Sequence, residues 1–208
     1  KEVFVEQAYS TYKMNKYFNL KGGLLLIPMG YINEYHEPPV YFGVERPLLD
    51  SKVVPTTWRE MGFGAYGRIP ELSLKYQLYL VNGFNGYKGS AKFDGDDAYR
   101  GGRQKGAESI ITYPNLSTKI DFNGIKRLKL GLSGYFGKSQ SSLFSHLSNT
   151  NQEEIMRADS SVISISMLGL DALYQYRGLQ LKGQAIYSFN KNVEQYNQFG
   201  NADLGKEI

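Results

Sequence analysis

Apolar and polar residues alternate with a period of two in several separate stretches of the chain. In the stretch 72–81, one set of alternate positions is apolar and the other is mostly polar. The apolar set consists of Leu72, Leu74, Tyr76, Leu78 and Leu80. The stretches 128–137 and 179–189 repeat the pattern. A period of two places the two sets on opposite faces of a β-strand, and a helical period does not fit these runs.

Five further stretches complete a set of about eight predicted strands. The stretch 162–176 is long and less regular, and weaker alternation covers 3–13, 18–28, 58–68 and 115–122. Each is close to the ~9–11 residues with which a tilted strand crosses a bilayer. Aromatic residues near the strand ends are predicted to lie at the headgroup levels of such a bilayer. They are Tyr12, Phe18, Trp58, Tyr135, Phe136, Tyr174, Tyr176, Tyr187 and Phe189.

Short and long connections alternate along the chain. The short ones, typical of hairpin turns, are 14–17, 69–71, 123–126 and 177–178. The long ones are 29–57, 82–114 and 138–160. This alternation is typical of an outer-membrane barrel with tight periplasmic turns and extended outer loops. We therefore predict an all-β fold, a transmembrane antiparallel up-and-down β-barrel, with one segment of the barrel over 1–208 and the long loops outside the cell.

Composition excludes several classes of protein. The 208 residues contain no cysteine, which excludes a disulfide framework, a thiolate metal site and a cysteine nucleophile. Lys and Arg exceed Asp and Glu by only 24 to 20 and are scattered, so no nucleic-acid partner is expected. No window approaches the ~20 apolar residues of a membrane-spanning helix. The chain starts within a predicted strand and ends on a polar stretch, so we expect a fragment of a longer barrel.

Residues 27–39 and 41–46 carry a resemblance to a known family. They read Ile-Pro-Met-Gly-Tyr-Ile-Asn-Glu-Tyr-His-Glu-Pro-Pro and Tyr-Phe-Gly-Val-Glu-Arg, with Ala8-Tyr9 and Tyr12-Lys13 in the strand before. Over roughly 3–83 the chain resembles the phosphate-selective porin (porin O and P) family of Gram-negative outer membranes, with Met29 in place of that family's usual aromatic residue. The resemblance implies an integral outer-membrane protein, a homotrimer of barrels of about sixteen strands, surrounded by outer-membrane lipid.

The polar strand faces supply candidate pore-lining residues, because an apolar face turned to lipid leaves the opposite face to water. The inward cations are Lys13, Arg68, Lys75, Lys129 and Lys182, with Lys119 a weaker candidate; the inward acids are Glu60, Asp121 and Asp171. Rings of Lys or Arg in a pore favour anions, so we expect a weak, phosphate-like anion preference. The alternative is that these lysines only solvate the lumen.

Two long loops are candidates for narrowing the lumen. The constriction candidates in 29–57 are Tyr31, Glu34, His36, Glu37, Glu45 and Arg46; those in 82–114 are Arg100, Arg103 and Lys105.

Other motifs carry no function. Residues 62–67 match G-x-G-x-x-G inside a predicted strand, and 94–97 lack the closing Glu of an EF-hand. His36 and His146 lie on different loops and define neither a base nor a metal site. We expect no catalytic residue, no metal, no cofactor and no enzymatic activity.

The sequence thus predicts an outer-membrane porin, a passive diffusion channel for small anions and other hydrophilic solutes. The first alternative is a non-conducting outer-membrane barrel that serves as a scaffold or accessory subunit and binds membrane-protein partners through its outer loops. The second is a soluble all-β binding domain, in which a second sheet covers the apolar strand faces.

Overall fold

The computed structural model describes residues 5–35, 47–106, 109–147 and 151–208. The strands in this part of the chain are β1 (Ala8–Lys13), β2 (Asn19–Leu26), β3 (Arg59–Ile69), β4 (Leu74–Val81), β5 (Asn85–Tyr87), β6 (Asn115–Ile125), β7 (Leu128–Lys138), β8 (Gln140–Ser141), β9 (Ser164–Tyr176) and β10 (Leu179–Lys191). The α-helices are α1 (Gln152–Ser160) and α2 (Val193–Gly200). Short 3-10 turns cover Asn33–Tyr35, Pro70–Leu72, Arg100–Gly102 and Ser142–His146, and a π-helical turn covers Leu49–Val53.

Eight strands form one antiparallel sheet in the order β1-β2-β3-β4-β6-β7-β9-β10. Each strand therefore pairs with its neighbours along the chain, apart from the small parallel pair of β5 and β8. The prediction of an all-β, antiparallel fold of about eight strands is confirmed. Strands β1 and β10 are the two edges, and within the described residues they do not pair with each other.

Apart from β1, which begins at Ala8 and not near residue 3, the strand boundaries follow the sequence pattern to within about three residues. β4 begins at Leu74 rather than Leu72, because Pro70–Leu72 forms a 3-10 turn that ends at Ser73 in the left-handed conformation (φ 54°). Proline favours the first position of such a turn, since its φ is already helical and it has no N–H to satisfy. The chain reverses within three residues as a result, and β3 pairs with β4 from Ile69 and Leu74 onward.

The alternation of the sequence becomes two faces of the sheet. One face, which we call the outer face, carries exposed apolar side chains, among them Phe63 (66% exposed), Leu170 (62%) and Leu132 (49%). Its other exposed members include Tyr12, Leu20, Met61, Leu78, Leu80, Ile120, Leu130, Phe136, Leu168, Leu179, Leu181 and Tyr187. The opposite face, which we call the cavity face, carries polar and charged residues together with a buried core.

The hydrophobic core lies on the cavity face, at the end of the sheet where the long connections are. The Trp58 and Phe84 rings stack with centroids 4.1 Å apart, and Tyr135 meets the Trp58 ring edge-on at 4.7 Å. The second long connection adds Phe93 and Tyr99 to this cluster, and α2 adds Tyr196. Trp58 and Tyr135 are almost fully buried, so the prediction that they lie at a headgroup level is wrong: the long connections fold back and cover this end of the sheet.

Two glycines of the G-x-G-x-x-G match lie in the middle of β3. A Cβ atom at Gly62 or Gly64 would overlap the carbonyl oxygen of Leu80 or Leu78 in β4. The backbones of β3 and β4 approach too closely for any side chain at these positions, which is a recognised reason for glycine within a strand. These glycines therefore serve strand pairing.

The other described elements lie in the connections and at the end of the chain. α1 is capped by Asn151, whose side-chain oxygen accepts from the backbone N–H groups of Glu153 and Glu154. After α2 the chain returns to β10, where the backbones of Ile208 and Ser188 exchange two hydrogen bonds (2.9 and 3.0 Å). Neither α1 nor α2, nor any other helix in the described part, has the length and apolarity needed to cross a membrane.

Candidate functional site: a basic cavity

The cavity face of the sheet lines a cavity of about 1010 Å³. Its walls come from β1–β4, β6, β7 and β9, and from residues 31–34 of the first long connection. The described lining includes seven basic residues, Lys13, Lys16, Lys21, Arg68, Lys75, Lys119 and Lys129, against three acids, Glu34, Asp121 and Asp171. The cavity is therefore predominantly cationic.

Antiparallel register brings these side chains together. Lys75 of β4 lies opposite Arg68 of β3 on one side and opposite Asp121 of β6 on the other. Residues that lie opposite each other point to the same face, and alternate residues along a strand share that face. Lys129 and Asp171 reach the same cavity from β7 and β9. The period of two, continued from strand to strand, is thus what collects the charges on one face.

The end of the cavity near the short turns is its most basic part. Among the described residues, no carboxylate lies within 4.0 Å of the charged groups of Lys13, Arg68 or Lys129. Lys16, in the first turn, lies 3.5 Å from Glu71 of the next turn. The pKa of the Glu71 carboxyl is lowered by its own backbone N–H, by the Tyr17 hydroxyl and by Lys16. Lys13, Arg68 and Lys129 therefore present positive charge at this end that is not paired with any carboxylate of the described residues.

Lys119, in contrast, is enclosed by acids. Its ammonium lies 2.9 Å from Glu34, 3.9 Å from Asp171 and 4.0 Å from Asp121. It also donates to the carbonyl oxygen of Gly30 at 2.9 Å. The Lys119 side chain is only 4% exposed, so its charge is balanced locally and contributes little to the open cavity.

Tyrosine rings line the cavity between the charges. The Lys21 ammonium lies 4.4 Å from the ring centroid of Tyr9, 5.4 Å from that of Tyr66 and 5.9 Å from that of Tyr79. Cation–π attraction within about 6 Å orients an ammonium without neutralising it. The structure places Lys21 in the cavity and Leu20 on the outer face.

The first long connection folds over the cavity face. The backbone N–H of Tyr31 donates to the side chain of Gln184 in β10 (3.1 Å), and Lys182 lies over the Tyr31 ring at 5.2 Å. Gln184 also donates to the carboxylate of Asp50, which is fully buried in the same connection. Tyr31 and Glu34 thus lie against the cavity face of the sheet. Lys182 faces this side of the sheet as well.

Several predicted site residues lie elsewhere. Glu60 does not line the open cavity: it is fully buried beside the aromatic core, and Nε1–H of Trp58 donates to it at 2.9 Å. Arg100 and Arg103 donate to the carbonyl oxygens of Ser51 (2.8 Å) and Thr56 (2.9 Å). These two arginines therefore join the second long connection to the first, and Lys105 is exposed in the same connection. His36, Glu37, Glu45 and Arg46 lie outside the described residues.

Sequence reasoning missed part of the cavity. Tyr66 and Tyr79 lie in strands whose alternation assigns them to this face, so the pattern could have identified them. Lys16 lies in a turn, where a period of two carries no information. In the described ranges, no group of three or more His, Cys, Asp or Glu side chains is arranged to hold a metal ion.

The chain is similar in sequence to a curated bacterial protein. Over 148 residues the chain is 37% identical to a protein of Aquifex aeolicus (strain VF5) described as uncharacterized. The matched region is 71% of this chain and 33% of that protein, so the chain spans about a third of the length of the curated relative it matches. No family model and no solved structure matches the chain.

Proposed function

We propose that the chain forms part of the wall of an outer-membrane porin related to the phosphate-selective porins, a passive diffusion channel for small hydrophilic solutes with a weak preference for anions. One observation carries the proposal: the two faces of a single sheet differ in chemistry. Exposed apolar side chains recur along the outer face, whereas the open cavity on the other face is lined by more basic than acidic residues.

The outer face suits hydrocarbon better than water. Soluble monomeric proteins rarely expose a continuous apolar patch larger than a few hundred Å². Here exposed apolar residues recur on the same face from β2 to β10, as Leu20, Leu132 and Leu181 illustrate. In the proposed barrel, the outer face would contact lipid. It also argues against the soluble alternative, since in the described chain no second sheet packs over it.

The proposal includes further strands. In hydrocarbon every backbone N–H and C=O must find a partner, so open sheet edges are not tolerated there. The edges at β1 and β10 would be completed by other strands to give a barrel of about sixteen, wide enough for an aqueous lumen. Three such barrels would associate as a homotrimer.

Anion preference follows from the balance of charge in the cavity. The described lining carries seven basic residues and three acids, a formal excess of four positive charges, and the three acids are gathered around Lys119. A charged lining acts over a Debye length of about 8 Å at physiological salt, which is the scale of a narrow pore. Solute movement would then depend on electrostatic attraction and pore width, with no chemical step.

Planar bilayer recording of the full-length protein tests both parts of this proposal. We expect discrete conductance steps. In a salt gradient, the sign of the reversal potential should show that anions permeate more readily than cations. A reversal potential of the opposite sign would contradict the anion preference. Liposomes that contain the protein should swell in isotonic solutions of small solutes, and failure of swelling and of conductance together would contradict the channel.

A non-conducting barrel that serves as a scaffold is the second candidate, and the aromatic core favours it. Trp58, Phe84 and Tyr99 are fully buried where the long connections meet the sheet, so this end of the cavity face is filled. Closed bilayer recordings, together with purification of a stable complex with another membrane protein, would select this function over the porin.

A further inference from the structure

We propose that Lys119 is a positioning residue: it holds residues 29–35, called here the inner segment, against the cavity face, so that this segment sets the width of the lumen. The inference rests on the proposed channel for its functional consequence, although the attachment itself is independent of any transport. In this role Lys119 is not one of the cations that a passing solute would contact.

Two contacts attach the inner segment to Lys119. The ammonium donates to the Gly30 carbonyl oxygen and to the Glu34 carboxylate, each at 2.9 Å. Gly30 and Glu34 lie four residues apart, so the Lys119 side chain holds the inner segment at two points. The side-chain amide of Gln77, in the neighbouring strand β4, donates to the other oxygen of Glu34 at 2.8 Å. The attachment therefore involves two strands of the wall.

Because three carboxylates surround the Lys119 ammonium, loss of the Lys119 side chain should weaken the attachment strongly. Glu34, Asp121 and Asp171 all lie within 4.0 Å of the ammonium, and Oδ2 of Asp171 is buried without a hydrogen bond. Removing one partner of a buried ion pair is strongly unfavourable, because the remaining charges lose their compensation. Of the three carboxylates, only Glu34 lies in a connection instead of a strand. It is therefore the one that can move away.

The other side of the inner segment is attached independently. Tyr31 binds Gln184 through its backbone and contacts Lys182 through its ring, both in β10. The segment thus runs across the cavity face between β6 and β10, strands separated in the sheet by β7 and β9. Asn33 adds a third attachment, since its side chain donates to the Trp58 carbonyl oxygen and accepts from the Trp58 N–H, each at 2.9 Å. Loss of the Lys119 contacts should therefore free the β6 side only and leave the segment attached at β10 and at Trp58.

The experiment compares Lys119→Met with Lys129→Met in the full-length protein. Lys129 lies on the next strand and faces the same cavity, but no described carboxylate lies within ion-pair distance of it. The first readout is hydrogen–deuterium exchange of the amides of 29–35. We expect exchange to accelerate by about tenfold or more in Lys119→Met, through loss of the buried pair, and to stay unchanged in Lys129→Met.

Glu34→Gln provides a second variant that leaves the wall intact, should Lys119→Met fail to fold. It removes the ion pair from the side of the segment, and we expect faster exchange in 29–35 without a change in the strands. Unchanged exchange in Glu34→Gln would overturn the proposal, and so would equal acceleration in Lys129→Met.

Single-channel conductance is the second readout and separates this inference from the proposed function. We expect a larger and less steady conductance in Lys119→Met and Glu34→Gln, whereas Lys129→Met should lose part of its anion preference without this increase in conductance. If no form conducts but exchange changes as expected, the positioning role of Lys119 stands and the channel is contradicted. If all forms conduct identically, the inner segment does not set the lumen width and the inference is overturned.

Discussion

The phenolic O–H of Tyr99 donates a hydrogen bond to the side-chain oxygen of Asn190 at 2.7 Å, and its oxygen lies 2.6 Å from that of Ser188. Tyr99 belongs to the second long connection, whereas Asn190 and Ser188 belong to β10 at the far edge of the sheet. Burial raises the pKa of Tyr99 to about 12, with the two hydrogen bonds acting in the opposite direction. The hydroxyl therefore stays protonated at ordinary pH and keeps the connection attached across the cavity face.

Tyr99→Phe is expected to lower the free energy of unfolding by about 1–3 kcal/mol, because it leaves buried polar groups of β10 without their partner. Chemical denaturation of the refolded protein in detergent measures this change. Tyr12→Phe is the matched control, since Tyr12 is exposed on the outer face and should give no change. Equal stability of the two variants would show that the Tyr99 hydrogen bonds contribute nothing.

The outer face yields a prediction that separates lipid from water as its surroundings. Leu132→Lys is expected to destabilise the membrane-inserted protein by about 2–4 kcal/mol, the usual cost of Lys on the lipid face near mid-membrane. Folding into lipid vesicles under increasing denaturant measures it. Leu48→Lys makes the same chemical change at a residue that is 74% exposed in the first long connection, and should be tolerated. If both variants insert equally well, the outer face does not meet lipid.

Selectivity is expected to depend on the basic end of the cavity. Changing Lys75 and Lys129 together to Gln should shift the reversal potential toward that of an unselective pore, because both line the cavity, from β4 and from β7, with β6 between them. Lys52→Gln serves as the control, since Lys52 lies 3.7 Å from Asp97 in the long connections and outside the cavity lining. A reversal potential that moves in the control alone would place the selective charges in the connections.

The close approach of β3 and β4 predicts an unequal response of two strand glycines. Gly64→Ala should cost about 1–3 kcal/mol of unfolding free energy, because the new methyl group meets the Leu78 carbonyl and the backbone must move. Gly183→Ala, in β10, meets nothing within 4 Å and should change stability by no more than about 0.5 kcal/mol. Thermal or denaturant unfolding of the pair provides the comparison. A neutral Gly64→Ala would mean that the two strands can separate without cost.

The strands and their faces could be predicted from the sequence because both depend on local pattern. In β7, Leu130 and Leu132 alternate with Lys129 and Gly131. Whatever its pairing register, a β-strand places these two sets of residues on opposite faces. The hairpin turns could also be predicted, because they depend on a few consecutive residues. The antiparallel order followed, since strands joined by a short turn pair with each other.

The arrangement of the long connections could not be predicted in this way. Glu60 has the position of a lumen-facing residue in its strand, yet packing of Trp58 and Phe84 buries that end of the sheet. The pair formed by Glu34 and Lys119 joins residues 85 positions apart. No sequence period links such residues, and only the path of the folded chain brings them together.

The strict alternation within each strand also constrains how this gene can change in length. Deletion of a single codon inside β9 would move Leu168 and Leu170 into the cavity and turn Asp171 outward, whereas deletion of two codons would keep every remaining side chain on its own face. Length variation among related sequences should therefore occur in the connections freely, and within the strands only in even steps.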